Sequence, residues 1–129
     1  MRLLLDTHFL LWLAIDPGEI KARERALIDR ATLVISPVSL WELRLKWQKL
    51  DRLGQRKGTL HPQIAREYIG RRGLELALLT GDDCAESLAV PLAHNDPFDE
   101  MLLIHAQRLG AKLLTRDRLL LGHPLVAQP

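Results

Sequence analysis

The sequence is poor in several features that mark particular classes of protein. It has one cysteine in 129 residues, so no internal disulfide can form and a disulfide-dependent secreted domain is excluded. The apolar run from Phe9 to Ile15 is far shorter than the roughly 20 residues that a membrane span needs. Asp6 interrupts the first apolar run before a signal-peptide core forms. We therefore expect a soluble, cytoplasmic protein without a membrane partner.

Several catalytic motifs are also missing. There is no glycine-rich phosphate loop, no serine in a nucleophile elbow, and no histidine pair at zinc-binding spacing. His105 shares an apolar face with its neighbours and is expected to be a partly buried, hydrogen-bonded histidine. The tryptophans fall at apolar helical positions, where core packing or an oligomer interface is favoured over base stacking; they are Trp12, Trp41 and Trp47.

Short apolar runs alternate with longer amphipathic segments along the chain. The runs at 3–5, 33–35, 74–79 and 112–114 are predicted strands, with an edge strand at 125–127. Helices are predicted over 9–15, 19–31, 37–50, 61–72 and 98–109; a capping pattern at 80–83 begins another, and 54–60 is a mobile linker. The alternation predicts one domain over residues 1–129, an α/β sandwich with a mostly parallel sheet.

Acidic residues follow these elements at points that meet in an open parallel sheet. Asp6 follows the first strand, Asp117 follows the fourth, and Glu42 and Asp99 lie near the starts of helices. The carboxyl ends of parallel strands line one crevice. Carboxylates facing one another there repel strongly unless a divalent cation lies among them. The pattern therefore predicts a metal-dependent enzyme.

Each acid also has an ordinary structural explanation. Asp6 and Asp96 suit helix N-caps, Asp99 completes a capping box with Asp96, and Asp117 suits a first helical turn. Glu42 can pair with Lys46 one turn later. Against that pairing alone, Ser36, Ser39 and Glu42 are three residues apart and are predicted to share one helix face. The functional hypothesis depends on the set of acids together.

Positive charge is concentrated in the middle of the chain. Between residues 42 and 72 there are nine basic and three acidic residues, a net +6, which leaves −4 for the rest. This segregation slightly favours contact with a nucleic acid over an ordinary solvated helix face.

Four segments, taken in order, resemble the PIN-domain family, and within it the VapC-type ribonuclease toxins of toxin–antitoxin pairs. They are Leu3-Leu4-Leu5-Asp6-Thr7-His8-Phe9-Leu10-Leu11-Trp12, Ser36-Pro37-Val38-Ser39-Leu40-Trp41-Glu42, His94-Asn95-Asp96-Pro97-Phe98-Asp99, and Leu113-Leu114-Thr115-Arg116-Asp117. The resemblance covers essentially the whole chain. Many members carry Arg directly after the last acid of the third segment, where this chain has Glu100.

The resemblance implies a three-layer α/β/α sandwich and an acidic quartet that holds Mg²⁺ or Mn²⁺ for RNA hydrolysis. The quartet would be Asp6, Glu42, Asp99 and Asp117, with supporting roles for Thr7, Ser39, Asp96 and Thr115. We assign Asp6 and Asp99 as direct ligands, and expect Glu42 and Asp117 either to bind the metal through water or to orient the nucleophile. Flanking RNA phosphates would be held by Arg44, Lys46, Lys49 and Arg52. Family members are commonly homodimers and are silenced by a cognate antitoxin protein.

Other classes fit less well. A receiver-like regulatory module needs an acidic pair after its first strand, but Thr7 and His8 follow Asp6. An aspartyl phosphatase needs a second Asp at the position of His8. A degenerate PIN domain that only binds a partner remains an alternative, although an intact quartet argues against it.

Overall fold

The computed structural model describes all residues, 1–129, as a parallel sheet with helices on both faces. The strands are β1 Arg2–Leu5, β2 Thr32–Ile35, β3 Glu75–Leu76 and β4 Lys112–Leu114. The helices are α1 Thr7–Ile15, α2 Ala22–Asp29, α3 Pro37–Gln48, α4 Pro62–Arg71, α5 Gly81–Ala85 and α6 Pro97–Leu109. None of these helices is both long and apolar enough to cross a membrane.

The strand order is β3-β2-β1-β4, and every pairing is parallel. From β1 the chain moves outward through β2 to β3 and then returns to place β4 on the other side of β1. The strand order therefore reverses at β1, and the crevice at the carboxyl end of such a reversal is where open α/β sheets bind ligands. The predicted mostly parallel sandwich is confirmed, and its sheet is parallel throughout.

Side chains alternate across the sheet and build a core on each face. Leu3 and Leu5 of β1 pack with α1 to α4, whereas Leu4 faces α6 on the opposite side. All three leucines are fully buried. A strand buried on both faces has to be apolar at every position, which explains the uninterrupted leucines of β1.

Several predicted boundaries are wrong. The helix predicted over 19–31 is only α2, because the Glu24 carboxylate accepts the Lys21 N–H at 2.8 Å and fixes the start there. Helix α3 ends at Gln48, so Leu50 lies outside it. The strand predicted over 74–79 has two residues, since the Leu78 carbonyl bonds the His105 imidazole instead of another strand. The edge strand predicted over 125–127 is a single bridge from Val126 to Leu113.

The predicted linker at 54–60 has no regular structure and packs closely against α3. The Lys57 N–H donates to the Lys49 carbonyl oxygen at 3.1 Å, and the Arg56 guanidinium lies 4.4 Å from the centre of the Trp47 ring. Gly58 lies against the backbone of Trp47, where a Cβ atom would come within 2.7 Å of the Trp47 Cα.

We expect Gly58→Ala to lower the free energy of unfolding by about 1–3 kcal/mol, because the added methyl group meets helix backbone that cannot move aside. Urea unfolding followed by circular dichroism measures the change. Gly18→Ala is the matched control, since nothing lies within 4 Å of its added Cβ. Equal stability of the two variants would contradict close packing at Gly58.

Candidate acidic active site

Asp6 follows β1 directly and has two roles. One carboxylate oxygen accepts the His8 N–H at 2.7 Å and caps α1, as the capping explanation predicts. The other accepts the Thr115 hydroxyl at 2.6 Å and is tied to the end of β4. Burial opposes ionisation, but the hydrogen bonds from His8 and Thr115 outweigh it and hold the pKa of Asp6 below its ordinary value. Asp6 is therefore a fixed, ionised carboxylate at the crevice.

Glu42 reaches the same crevice from the second turn of α3. The buried Thr7 hydroxyl donates to Glu42 Oε1 at 2.7 Å and lies 3.0 Å from the Ser39 hydroxyl. Because a hydroxyl has a single proton, Thr7 donates to Glu42 and accepts from Ser39. Glu42 Oε2 pairs with the Lys46 ammonium at 3.0 Å, as the structural explanation predicts. Glu42 therefore pairs with Lys46 and also faces the crevice with the other acids.

Ser36 does not share the face of Ser39 and Glu42, so that part of the prediction is wrong. Its hydroxyl caps α3 by accepting the Val38 N–H at 3.1 Å. The same oxygen lies 2.8 Å from Nδ1 of His105, which is fully buried beneath the sheet. The prediction that His105 is hydrogen-bonded is confirmed, because both of its imidazole nitrogens have hydrogen-bond partners.

The start of α6 contributes the third acid. Asp96 is the N-cap and accepts the Phe98 and Asp99 N–H groups. The reciprocal half of the predicted capping box is absent, because Asp99 Oδ2 lies 3.0 Å from Nε2 of His94 instead of bonding the Asp96 N–H. His94 Nδ1 is buried and has no hydrogen-bond partner. Asp99 is thus free of a capping role and faces the crevice.

Asp117 completes the set beyond β4. Its N–H donates to the Thr115 hydroxyl oxygen at 3.1 Å, and its carboxylate caps the turn that follows by accepting the Leu119 N–H at 2.9 Å. Asp117 can therefore cap the first turn after β4 and line the crevice at the same time. Thr115 therefore links Asp117 to Asp6 through one buried hydroxyl.

All four acids line one groove of about 830 Å³, which we call the acidic groove. Its lining residues are Asp6, His8, Trp12, Glu42, Leu45, Lys46, Gln48, Lys49, Asp96, Phe98, Asp99, Leu102, Arg116 and Asp117. The predicted supporting hydroxyls of Thr7, Ser39 and Thr115 are buried behind this lining. Of the predicted RNA-binding residues, Lys46 and Lys49 line the groove, whereas Arg44 and Arg52 lie outside it. Glu100 is exposed and also lies outside it.

The acids act on one another across the groove, most clearly at Asp99. Burial raises the pKa of Asp99 to about 6, and its hydrogen bond with His94 only partly offsets this effect. The negative charges of Asp96, Asp117 and Asp6 contribute to the same rise, and the value of about 6 includes them. Carboxylates that raise a neighbour's pKa in this way favour the entry of a positive charge.

The raised pKa of Asp99, which comes mainly from burial and also from the neighbouring acids, predicts a pH-dependent stability of the metal-free protein. A carboxyl group whose folded pKa of about 6 exceeds its unfolded value of 3.8 binds more protons when folded. Stability therefore falls as pH rises from about 4 to about 6, by about 2 kcal/mol from Asp99. Urea unfolding in EDTA at pH 4.5 and 7 measures the loss. Asp99→Asn should reduce it, and an unchanged loss in that variant would contradict the assignment.

The donor chemistry of the groove fits a hard divalent cation. Most of its potential ligands are carboxylate oxygens, His8 is the only histidine of the lining, and the lone cysteine, Cys84, is not part of it. No three acidic, histidine or cysteine side chains are gathered closely enough to form a ready-made metal cluster. Glu42 instead pairs with the Lys46 ammonium, which partly balances the negative charge, and Asp99 lies within hydrogen-bond distance of His94.

Three residues at the site are not predicted from the sequence: Arg116 and His8, which line the groove, and His94, which contacts one of its acids. Arg116 binds both oxygens of the buried Glu24 carboxylate and lies 4.2 Å from the centre of the Trp12 ring. His94 bonds Asp99, and His8 Nδ1 lies 3.5 Å from Asp6. Each is within five residues of a predicted acid, which is the signal that was available. A histidine that contacts a single acid has no zinc-like partner at a fixed spacing, so spacing along the chain does not reveal it.

The fold and groove define an α/β sandwich protein with a carboxylate-lined crevice at the point where its strand order reverses. The family model of the PIN domain matches residues 3–121, so the chain belongs to the PIN domain family, as its motifs predict. No curated protein matches the chain. The fold is similar to a chain in the crystal structure of VapBC2 from Rickettsia felis bound to a DNA fragment from their promoter. The TM-score is 0.59 and the identity 17%, covering 98% of this chain and 96% of that one.

Proposed function

We propose that the chain, over residues 1–129, is a metal-dependent endoribonuclease toxin of the VapC type. The observation that carries this proposal is the acidic groove, to which four elements each bring one carboxylate: the end of β1, the end of β4, the second turn of α3 and the first turn of α6. Membership of the PIN domain family supports a nuclease. Two lysines beside the acids, Lys46 and Lys49, give the groove the mixed charge that an anionic substrate and a cation both require.

The cation in this proposal is Mg²⁺ or Mn²⁺, held directly by Asp6 and Asp99 and through water by Glu42 and Asp117. When bound, such an ion polarises the scissile phosphodiester and lowers the pKa of an attacking water. Thr115 keeps the Asp6 carboxylate oriented, since its hydroxyl donates to Oδ2. Thr7 does the same for Glu42, and Ser39 keeps the Thr7 hydroxyl turned toward that carboxylate.

The lysines and arginines of α3 and its following turn hold the RNA strand in this proposal. Lys46 and Lys49 lie beside the acids, where they bind phosphates next to the scissile bond. The exposed Arg44 and Arg52 extend the positive surface away from the groove. Binding of RNA is therefore expected to weaken as the salt concentration rises.

We also propose a cytoplasmic homodimer that a cognate antitoxin protein silences. The similarity of the fold to a chain in the VapBC2 complex supports a protein partner of this kind. The proposed means of inhibition is occupation of the acidic groove, since a peptide there excludes RNA from the four carboxylates.

The second candidate function is partner binding without catalysis, by a degenerate PIN domain. The absence of a ready-made three-ligand cluster favours it. The two functions differ in one respect that can be measured, namely cleavage of RNA that depends on added metal.

The test uses the purified protein with single-stranded and structured RNAs, in Mg²⁺, in Mn²⁺ and in EDTA. The proposal predicts cutting only when a divalent metal is present, and its loss when the cognate antitoxin is added. Tight RNA binding with no cutting in either metal, across many RNAs, would instead establish the binding-only function.

A further inference from the structure

A second pocket lies beside the acidic groove and has no part in the proposed mechanism. It has a volume of about 490 Å³ and lies between α3 and the start of α4. The side chains that matter here are Trp41, Arg44, Trp47, Gln48, Gln63 and Arg66. We call it the arginine–tryptophan pocket.

The helix geometry of α3 joins this pocket to the acidic groove. Trp41, Arg44 and Gln48 recur at spacings of three and four residues, so they share one helix face. Glu42 and Lys46 lie on the adjacent face and line the acidic groove. Gln48 lines both cavities. A strand that leaves the acidic groove across α3 therefore enters the second pocket.

The charge of the pocket suits an anionic ligand. Its lining contains no aspartate or glutamate. Neither Arg44 nor Arg66 takes part in any of the ion pairs of the chain. Two guanidinium groups without a carboxylate partner, facing one cavity, are suited to phosphate oxygens, which they can bind through two hydrogen bonds each.

Trp41 supplies an open aromatic surface in the same pocket. It is 56% exposed, so of its two predicted roles core packing is wrong, whereas an oligomer interface stays a prediction. Its ring forms an edge-to-face pair with Phe98 of the acidic groove, with centres 5.8 Å apart, and more than half of the residue remains open to solvent. Trp47 differs, because Arg56 and His61 cover its ring. A base can therefore stack on Trp41 while Trp47 forms the wall behind it.

We propose that the arginine–tryptophan pocket binds an unpaired nucleotide of the RNA substrate next to the cleavage site. The base stacks on Trp41, and the side-chain amides of Gln48 and Gln63 offer donors and acceptors to its edge. Arg44 and Arg66 bind the adjoining phosphates. This inference rests on the proposed nuclease function and adds that the substrate is single-stranded where it leaves the acidic groove.

The test is the binding of a fluorescein-labelled 2′-O-methyl RNA hexamer in EDTA, followed by fluorescence anisotropy. Trp41→Leu should weaken binding about tenfold, and Trp41→Phe should restore most of it, because a ring of either kind stacks with a base. Arg44→Gln and Arg66→Gln should each lower the salt-dependence slope by about 0.7. Arg23→Gln, an exposed arginine of α2, is the control of equal charge and should leave both measurements unchanged.

Equal affinity and equal salt slope in Trp41→Leu, Arg66→Gln and Arg23→Gln would overturn the proposal. So would a homodimer that Trp41→Leu dissociates while RNA affinity stays constant, since the pocket would then be a protein interface. The assay requires no cleavage, so the nuclease function can fail while the pocket is upheld. Conversely, metal-dependent cutting with unchanged hexamer binding in Trp41→Leu would refute the pocket alone.

Discussion

Asp6→Asn and Asp99→Asn should each reduce metal-dependent RNA cleavage at least about 1000-fold while leaving the fold intact. The loss is large because each change removes a negative ligand of the cation, and metal assistance contributes several kcal/mol to such a reaction. The fold survives because asparagine caps a helix as well as aspartate does, so α1 keeps its N-cap in Asp6→Asn. Initial cleavage rates in Mn²⁺ measure the effect, and circular dichroism checks the fold.

Asp82→Asn is the control for both variants, since Asp82 is an exposed acid of α5 far from the groove in sequence and absent from its lining. It should cut RNA at the wild-type rate. Wild-type cleavage by either groove variant would remove that carboxylate from the mechanism. A variant that fails to fold is identified by its far-ultraviolet spectrum and replaced by Asp6→Glu or Asp99→Glu, which keep the charge but displace it.

Arg116→Leu should lower the free energy of unfolding by about 3 kcal/mol. The guanidinium donates to both oxygens of the Glu24 carboxylate at 2.7 and 2.6 Å, and to the Glu19 carbonyl oxygen at 2.6 Å. These bonds attach the start of α2 to the end of β4, one residue before Asp117. Without Arg116 the Glu24 carboxylate remains buried but has no cationic partner. An unpaired buried charge accounts for most of the free energy lost when one member of a buried ion pair is removed.

Urea unfolding of a double-mutant cycle separates the free energy of the Glu24–Arg116 pair from the destabilisation that either substitution causes on its own. Glu24→Leu combined with Arg116→Leu should be more stable than Arg116→Leu alone, because no unpaired charge is then buried. The hydrogen bond with Arg116 holds the pKa of Glu24 below its ordinary 4.5. Its stabilising effect is therefore full above pH 4.5 and disappears as pH falls through the lowered pKa. Strict additivity of the two substitutions would contradict the pairing.

The strands and the layer arrangement could be predicted from sequence because their signals are local. The leucines of β1 are buried on both faces of the sheet, and the unbroken apolar run that they form in the sequence indicates this burial. The errors fall where distant contacts override local pattern. Leu50 continues the apolar spacing of α3 but lies beyond its end, and β3 stops early because His105 and Arg108 take the Leu78 carbonyl.

The four acids of the groove could be predicted because each lies close to the end of a strand or the start of a helix that the sequence pattern indicates. Their partners could not, because those contacts join residues far apart along the chain. Thr115 meets Asp6 across 109 positions, and Arg116 meets Glu24 across 92. The pocket around Trp41 was hidden for a different reason, since an apolar residue at helical spacing is usually packed in a core.

In the proposed function, the acidic groove holds a divalent cation between Asp6 and Asp99. A crystal of the protein grown in Mn²⁺, measured for anomalous scattering at the manganese edge, tests it most directly. We expect an anomalous peak within bonding distance of carboxylate oxygens of both residues, and no such peak in crystals of Asp6→Asn. A groove empty of manganese in the wild-type crystal, or an ion bound elsewhere on the chain, would contradict it.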